Sequence, residues 1–257
     1  MLAQLIEKRA KARIPVIAGI YIDYFPKENG NPKTVNKKTQ SNAMLTDITE
    51  EGIGFVFGKT LELNSIINIS TYSTPLLGSC FLKAKIIWAD SNLNRYGTKL
   101  LLSSSAEEVS LRKILAAIER SFLFEKTVYL ADTNAEGNVY FARLFEWQGE
   151  TREAYLNQSI SKEEYAVIVR NQIRLLTVHA SLDFYKPFWL FDQAGIRMTT
   201  RNIRHASLEM VFEYFNKQNG EFAASGYQLL AFQDAGNRLV AIPDPIQRIA
   251  LAIEQPS

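Results

Sequence analysis

The chain has 257 residues, 47% hydrophobic and 22% charged, enough apolar material for a sizeable core in one or two domains. Its 29 basic and 27 acidic residues leave a net charge of +2, which excludes a bulk electrostatic drive toward nucleic acid or an anionic membrane. One cysteine, Cys80, excludes a disulfide framework and a cysteine-rich metal site, and two histidines, His179 and His205, leave little for zinc. The run from Leu2 to Arg9 is charged too early for a signal peptide, and no apolar stretch reaches the roughly 20 residues of a membrane helix. The expectation is a soluble cytoplasmic protein, with neither membrane nor nucleic-acid polymer as partner.

From Arg13 to about Ser104 the pattern is short β-rich runs broken by turns: Ile14–Tyr24, Gly52–Gly58, Ile66–Tyr72, Phe81–Ala89 and Tyr96–Leu102. Pro26–Asn42, rich in Lys, Asn and Pro, reads as an exposed excursion. Several short strands in sequence predict a small β-barrel. Ala106–Phe122 then predicts a helix, and the domain boundary is placed at its end, giving domains 1–123 and 124–257. The second half opens with a strand at Lys126–Ala131, a loop, and a long helix from about Asn138 to Asn157. Strands are expected at Tyr165–Arg170, Arg174–Tyr185, Gly195–Arg204, Ala206–Asn216 and Gly220–Gln233, and a terminal helix at Asp244–Ile253 with Pro245 in its first turn. One helix followed by antiparallel strands buries both apolar faces when sheet wraps helix, an α+β unit.

Arg9 and Arg13 stand just before the first strand, and Asp47-Ile-Thr49-Glu-Glu-Gly52 follows at a strand–turn–strand junction. Arginine forks grip phosphates and guanine edges bidentately and stack on flat bases. Asp47 and Thr49 offer hydrogen bonds to a base, and Gly52 permits a tight turn. Arg-x-x-x-Arg followed by Asp-x-Thr-x-x-Gly resembles the PilZ domain, the six-stranded barrel that receives cyclic di-GMP. The likeness runs over residues 8–120 and includes Trp88 and Tyr96-Gly97. Thr49 stands where that family usually has Ser. The resemblance implies that Arg9 and Arg13 grip the guanines and phosphates of cyclic di-GMP while Asp47, Thr49 and Gly52 form the base-binding surface.

Residues 132–152 carry a second constellation. Phe141, Phe145, Gln148 and Arg152 follow 4-3-4 spacing and share one side of the long helix, beside Tyr140, Leu144, Trp147 and Thr151. An arginine there either snorkels out of a core or points into a pocket. Asn134 precedes Gly137, where the chain can approach a ligand, and the N–H groups opening the helix near Val139–Phe141 are free to bind an oxyanion. Tyr129-Leu-Ala-Asp132-Thr-Asn134-Ala-Glu-Gly137-Asn138-Val-Tyr140-Phe resembles the hotdog-fold thioesterases of the 4-hydroxybenzoyl-CoA class. The likeness covers about 124–250 and takes in Ala223-Ala-Ser-Gly226-Tyr and Ile242-Pro243-Asp-Pro. Most of that class has an aspartate where this chain has Asn134. Asn138-Val-Tyr-Phe and Trp147-Gln-Gly-Glu-Thr-Arg152-Glu look most like the thioesterases of enediyne polyketide biosynthesis, which rely on an Asn and an Arg that map onto Asn134 and Arg152. Glu136 stands where those relatives usually carry an apolar residue.

The resemblance implies catalysis by Asn134, Gly137, Tyr140, Phe141 and Arg152, with no metal or other cofactor required. A neutral amide cannot act as a base, so such a mechanism leans on polarisation: Arg152 and the helix N-terminus stabilise an oxyanion while Asn134 positions the carbonyl or a water. The implied partners are an acyl-carrier-protein or coenzyme A thioester and cyclic di-GMP as regulator. A further copy is implied too, because hotdog folds build sites across the interface of homodimers or homotetramers. The rival expectation is a non-catalytic cyclic di-GMP receptor whose hotdog half dimerises or holds an acyl ligand. Asp132 reads as a turn former or a second carboxylate. Glu136 reads as a dipole-favoured acid or a base, and Arg201–His205 as a solvated edge or a site for coenzyme A phosphates.

Overall fold

The computed structural model describes residues 14–24, 39–71 and 80–255. The chain divides into two compact units, with the main division after Leu115. In the first, six strands close into an antiparallel barrel in the order β1-β2-β3-β6-β5-β4. They are β1 (Ile14–Tyr24), β2 (Thr39–Ile48), β3 (Ile53–Val56), β4 (Ile66–Thr71), β5 (Phe81–Asp90) and β6 (Arg95–Leu100). Strict alternation in β5 sends Leu82, Ala84 and Ile86 inward and leaves Phe81 and Lys83 outside. Phe55 stacks on Tyr96 at 5.5 Å, and the Tyr96 hydroxyl donates to the Lys59 carbonyl and accepts the Leu61 N–H.

β2 corrects the sequence reading, which placed residues up to Asn42 in an exposed excursion. Residues 39–42 pair with β1, and polar Gln40, Ser41 and Asn42 are not core residues. The inward positions are Ala43, Leu45 and then Ile48, because a bulge at Thr46 shifts the phase by one residue. Helix α1 (Ser105–Glu119) follows the barrel, with the Ser104 hydroxyl accepting the Glu107 N–H at 3.2 Å.

The second unit holds a five-stranded antiparallel sheet in the order β7-β9-β10-β11-β8: β7 (Phe122–Thr127), β8 (Arg174–Phe184), β9 (Gln193–Arg201), β10 (Ser207–Asn216) and β11 (Phe222–Gln233). The first of these starts four residues before its expected position. Against the sheet lies helix α2 (Phe141–Ser159), whose buried stripe is Leu144, Trp147, Gln148, Thr151 and Tyr155. The stripe is rotated from the expected one, so Phe141 stands exposed and Arg152 sits on the flank. The Tyr214 hydroxyl donates to the Leu144 carbonyl at 2.8 Å and joins β10 to the helix. This is the expected helix-in-sheet hotdog arrangement.

Tyr165–Arg170, expected as a strand, is the later part of helix α3 (Lys162–Arg170). The β-branched run Val167-Ile-Val reads as strand, but Ser161 and Glu164 form a reciprocal capping box that starts a helix. Helix α4 (Asp244–Ala252) closes the unit, its Ala250 carbonyl accepting from Thr200 Oγ1 at 2.6 Å and its Ile249 carbonyl from the Tyr155 hydroxyl at 2.8 Å.

Candidate functional site

After β7 the chain makes a 3-10 turn at Leu130–Asp132, which Asp132 closes. Its Oδ2 accepts the Tyr129 N–H and its carbonyl accepts the Tyr140 N–H, each at 3.0 Å. Asn134 closes the next turn: Oδ1 accepts the Glu136 N–H at 2.9 Å, and its carbonyl accepts the Gly137 N–H at 3.0 Å. Gly137 has φ +83°, a backbone dictated by this turn and open to glycine without strain. The Asn134 carboxamide is exposed, its oxygen engaged in the turn and its Nδ2 available as a donor.

Of the N–H groups near Val139–Phe141 that the sequence pointed to, only that of Phe141 stays unclaimed among the described residues. The Val139 N–H is taken by the Phe188 carbonyl at 2.9 Å and the Tyr140 N–H by Asp132. Tyr140 is the N-cap residue and makes no side-chain cap, so the unclaimed N–H groups at the head of α2 are those of Phe141 and Ala142. Phe141 meets Phe184 edge to face at 6.5 Å, beside a cleft of about 250 Å³ between the head of α2 and residues 184–188.

Three turns along α2, the Arg152 side chain is only 16% exposed. Its Nη1 donates to Thr177 Oγ1 and to Gln228 Oε1, both at 3.0 Å. Its Nη2 lies 3.9 Å from Glu153, and its buried Nε has no hydrogen-bond partner among the described residues. Burial holds this guanidinium below its ordinary pKa, with Glu153 acting in the opposite sense. Gln228 Nε2 donates to Gln148 Oε1 at 3.2 Å, and Gln148 Nε2 donates to the Ser181 carbonyl at 3.2 Å. Gly226 makes the close approach possible, since a Cβ there would stand 2.0 Å from the Ser181 oxygen and 3.1 Å from Gln148 Nε2. Beside Arg152 opens a cavity of about 710 Å³, walled by Leu156, Ile160, Ile168, Leu175 and Phe232, with Lys162 and Arg174 among its polar lining. That volume suits a small organic ligand.

Thr177 reaches Arg152 through a bulge. His179 stands opposite Leu229 but Thr177 stands opposite Leu230, which makes Val178 the extra residue. Thr177 thus turns toward α2, while His179 packs against Tyr227 on the other face at 5.2 Å. Asn134, Gly137, Tyr140 and Phe141 therefore cluster at the head of α2, and Arg152 stands apart with Gln148, Gln228 and Thr177. The 11 residues from Phe141 to Arg152 correspond to roughly 16 Å along the helix axis. Sequence reasoning placed Gln148 on the stripe without a role and missed Gln228 and Thr177. Gln228, 5% exposed within Tyr227-Gln-Leu-Leu-Ala-Phe, had a signal as a lone amide at an inward strand position.

Residues 128–249 match the Thioesterase-like superfamily. The 1,4-dihydroxy-2-naphthoyl-CoA hydrolase of Crocosphaera subtropica is 30% identical over 98 residues, covering 37% of this chain and 69% of that protein. The chain belongs to the thioesterase-like superfamily. The Synechocystis protein of the same name is also 30% identical, over 48% of this chain and 84% of its own length. A crystal structure of the dynemicin thioesterase aligns with a TM-score of 0.49 at 26% identity, covering 53% of this chain and 99% of that one.

The superfamily match begins at Val128 and leaves out the barrel. There, Thr49 Oγ1 accepts the N–H groups of Glu51 at 3.1 Å and Gly52 at 3.0 Å, closing the β2–β3 turn. A Cβ on Gly52 would stand 2.2 Å from the Thr98 carbonyl oxygen, so close strand packing alone demands glycine. Asp47 accepts from Thr46 Oγ1 at 3.1 Å and lies 4.0 Å from Arg95 Nη2. Arg9 and Arg13 lie outside the described residues. Among the described residues no cluster of three or more His, Cys, Asp or Glu could hold a metal, and no helix is long and apolar enough to cross a membrane. Of the basic Arg201–His205 cluster, Arg201 pairs with Glu209 at 2.7 Å.

Proposed function

We propose that the second unit hydrolyses acyl thioesters carried by coenzyme A or an acyl carrier protein, polyketide or β-keto acyl groups included. In the same proposal the barrel is a PilZ-like receptor whose binding of cyclic di-GMP regulates that hydrolysis. The observation that carries the catalytic reading is Arg152, a largely buried cation held by neutral acceptors beside an apolar cavity. Such a group is costly unless it meets negative charge that develops during a reaction. Water adds to the thioester carbonyl, Arg152 and the head of α2 hold the oxyanion, and Asn134 positions the carbonyl or the water. The C–S bond then breaks, the thiol leaves with one of the water's protons, the other passes to solvent, and a carboxylate remains.

These groups are separated within one chain, and a second copy closes the gap. β8 is a sheet edge, pairing with β11 alone among the described residues, and it exposes Leu176, Val178 and Phe184. Antiparallel pairing of two β8 strands about their midpoints sets the Thr177 end of one against the Phe184 end of the other. Arg152 of one copy then faces the α2 head and the Asn134 turn of its mate, and the assembly is at least a homodimer.

Thiol release measured over a series of acyl-CoA and acyl-carrier-protein thioesters tests the activity. Mixed dimers test the shared site. Arg152→Met and Asn134→Ala chains are each expected to be inactive, and mixing them restores about a quarter of wild-type activity, since half the dimers are mixed and each has one intact site. Full activity of Asn134→Ala alone, or no recovery on mixing, rejects the shared site. The engagement of the Asn134 oxygen in its turn favours the second reading, a cyclic di-GMP receptor that binds an acyl ligand without hydrolysis. Binding of cyclic di-GMP and of an acyl ligand, with no thiol release from any thioester, decides for that reading.

A further inference from the structure

The hydrogen-bond pattern around Arg152 bears on the kind of head group its cavity could take. Both protons of Nη1 are spent on neutral oxygens, the Thr177 hydroxyl and the Gln228 carboxamide, while Nη2 and Nε keep no hydrogen-bond partner among the described residues. Nε is enclosed by protein, so Nη2 is the nitrogen left to meet an entering carboxylate, through a charge-assisted bond. The nearest acid, Glu153, is 75% exposed and 3.9 Å away, too solvated to neutralise the cation. The amide chain is neutral throughout, since Gln228 is held by Gln148 and Gln148 by the Ser181 carbonyl. The cavity beyond has mostly apolar walls, and Lys162 and Arg174 on its lining outnumber the one acid there, Glu153.

We infer that the Arg152 cavity binds the free carboxylate of an apolar acid, and that Gln228, Thr177 and Gln148 keep that cation positioned and unneutralised. The inference rests on the thioesterase reading only in naming this acid as the hydrolysis product; the binding itself needs no catalysis. A product so held competes with incoming thioester, so the free acid slows turnover.

Calorimetric titration with decanoate, and with methyl decanoate as its uncharged counterpart, tests this on the full chain. Wild type is expected to bind decanoate at least about tenfold more tightly than the ester, a difference of about 1.4 kcal/mol. Gln228→Glu and Thr177→Asp each place a carboxylate beside Nη1, and each is expected to bring that preference down to within about threefold of unity. Thr177 lies on the exposed strand β8, so its variant serves if Gln228→Glu does not fold. Equal binding of acid and ester by wild type, or an unchanged preference in a folded variant, overturns the inference. Thiol release on the same samples keeps the two claims apart: hydrolysis without carboxylate preference removes this inference alone, and carboxylate preference without hydrolysis removes the catalytic proposal alone.

Discussion

Replacing Arg152 by methionine should separate stability from activity. The wild-type side chain is 16% exposed and makes two bonds from Nη1 to neutral oxygens. Their loss costs about 1.5–3 kcal/mol each as bonds to a charged group, and it leaves the Gln228 oxygen without its donor. Against this stands the removal of a desolvated cation that no close carboxylate compensates, which recovers several kcal/mol. Methionine, unbranched and flexible, fills the space of the arginine stem. The opposing effects are similar in size, so the stability change is expected to stay within about 1 kcal/mol, read from urea midpoints at constant m. Activity behaves differently. One well-placed donor to an oxyanion contributes about 2.7–4 kcal/mol, so kcat should fall roughly 10²–10³-fold with each thioester that wild type accepts. Urea unfolding and thiol release on the same preparation make the comparison. A methionine variant that unfolds several kcal/mol more easily yet keeps wild-type kcat would refute the reasoning and make Arg152 a structural residue.

Gly226→Ala sets a Cβ 2.0 Å from the Ser181 carbonyl, a backbone atom that cannot rotate away, so β8 must move off β11. A loss of about 1–3 kcal/mol is expected from the overpacking, seen as a lower Tm; an unchanged Tm contradicts this account of the β8–β11 spacing. Val178→Asp puts a charge on the exposed β8 edge, and is expected to give a monomer by sedimentation with thiol release lost; a dimer of normal activity rules out β8 pairing. The hydrogen bond from Arg248 holds the Glu164 carboxyl down at about 2, so the stabilisation it brings is complete above the ordinary value of 4.5 and fades as pH falls from there toward about 2. Arg248→Ala should flatten that part of the Tm profile, and an identical acid profile in the variant removes the pair from the account.

Much of the fold was legible where one rule acted alone. β5 alternates over Phe81–Ile86, and β10 and β11 carry long runs of apolar and aromatic residues, so their positions followed from pattern. Reading failed where two rules competed. In Tyr165–Arg170 the β-branched run outweighed a capping box three residues upstream, although the helix buries only Ile168 and leaves Tyr165, Val167 and Val169 exposed. In β2, Gln40, Ser41 and Asn42 looked like loop because their polar side chains are not core. The site divides in the same way. The turn role of Asp132 could be read from residue type, and so could an arginine beside the apolar stripe of the helix, whereas Asn134 was read for catalysis and closes a turn of its own. Thr177 could not, because without its bulge it would share a face with His179. Bulges at Thr46 and Val178 shift the two-residue period by one, and no composition or spacing rule predicts where that happens.

The missing carboxylate and the neutral relay answer to the same requirement. A cation beside an apolar cavity can stabilise developing negative charge only while no permanent anion neutralises it. Glutamate at Gln228 or aspartate at Thr177 would pair with Arg152 at about 3.0 Å and quench it, whereas an amide and a hydroxyl orient the guanidinium without doing so. In the proposed two-copy arrangement the turn at Asn134 would approach the same guanidinium from the mate, and an aspartate there would act as a third such anion. An amide at 134 keeps a hydrogen-bonding group in place and leaves the field of Arg152 intact. On the proposed reading the asparagine would belong with Gln228, Thr177 and Gln148, in a site built around one positive charge that only the solvated Glu153 approaches.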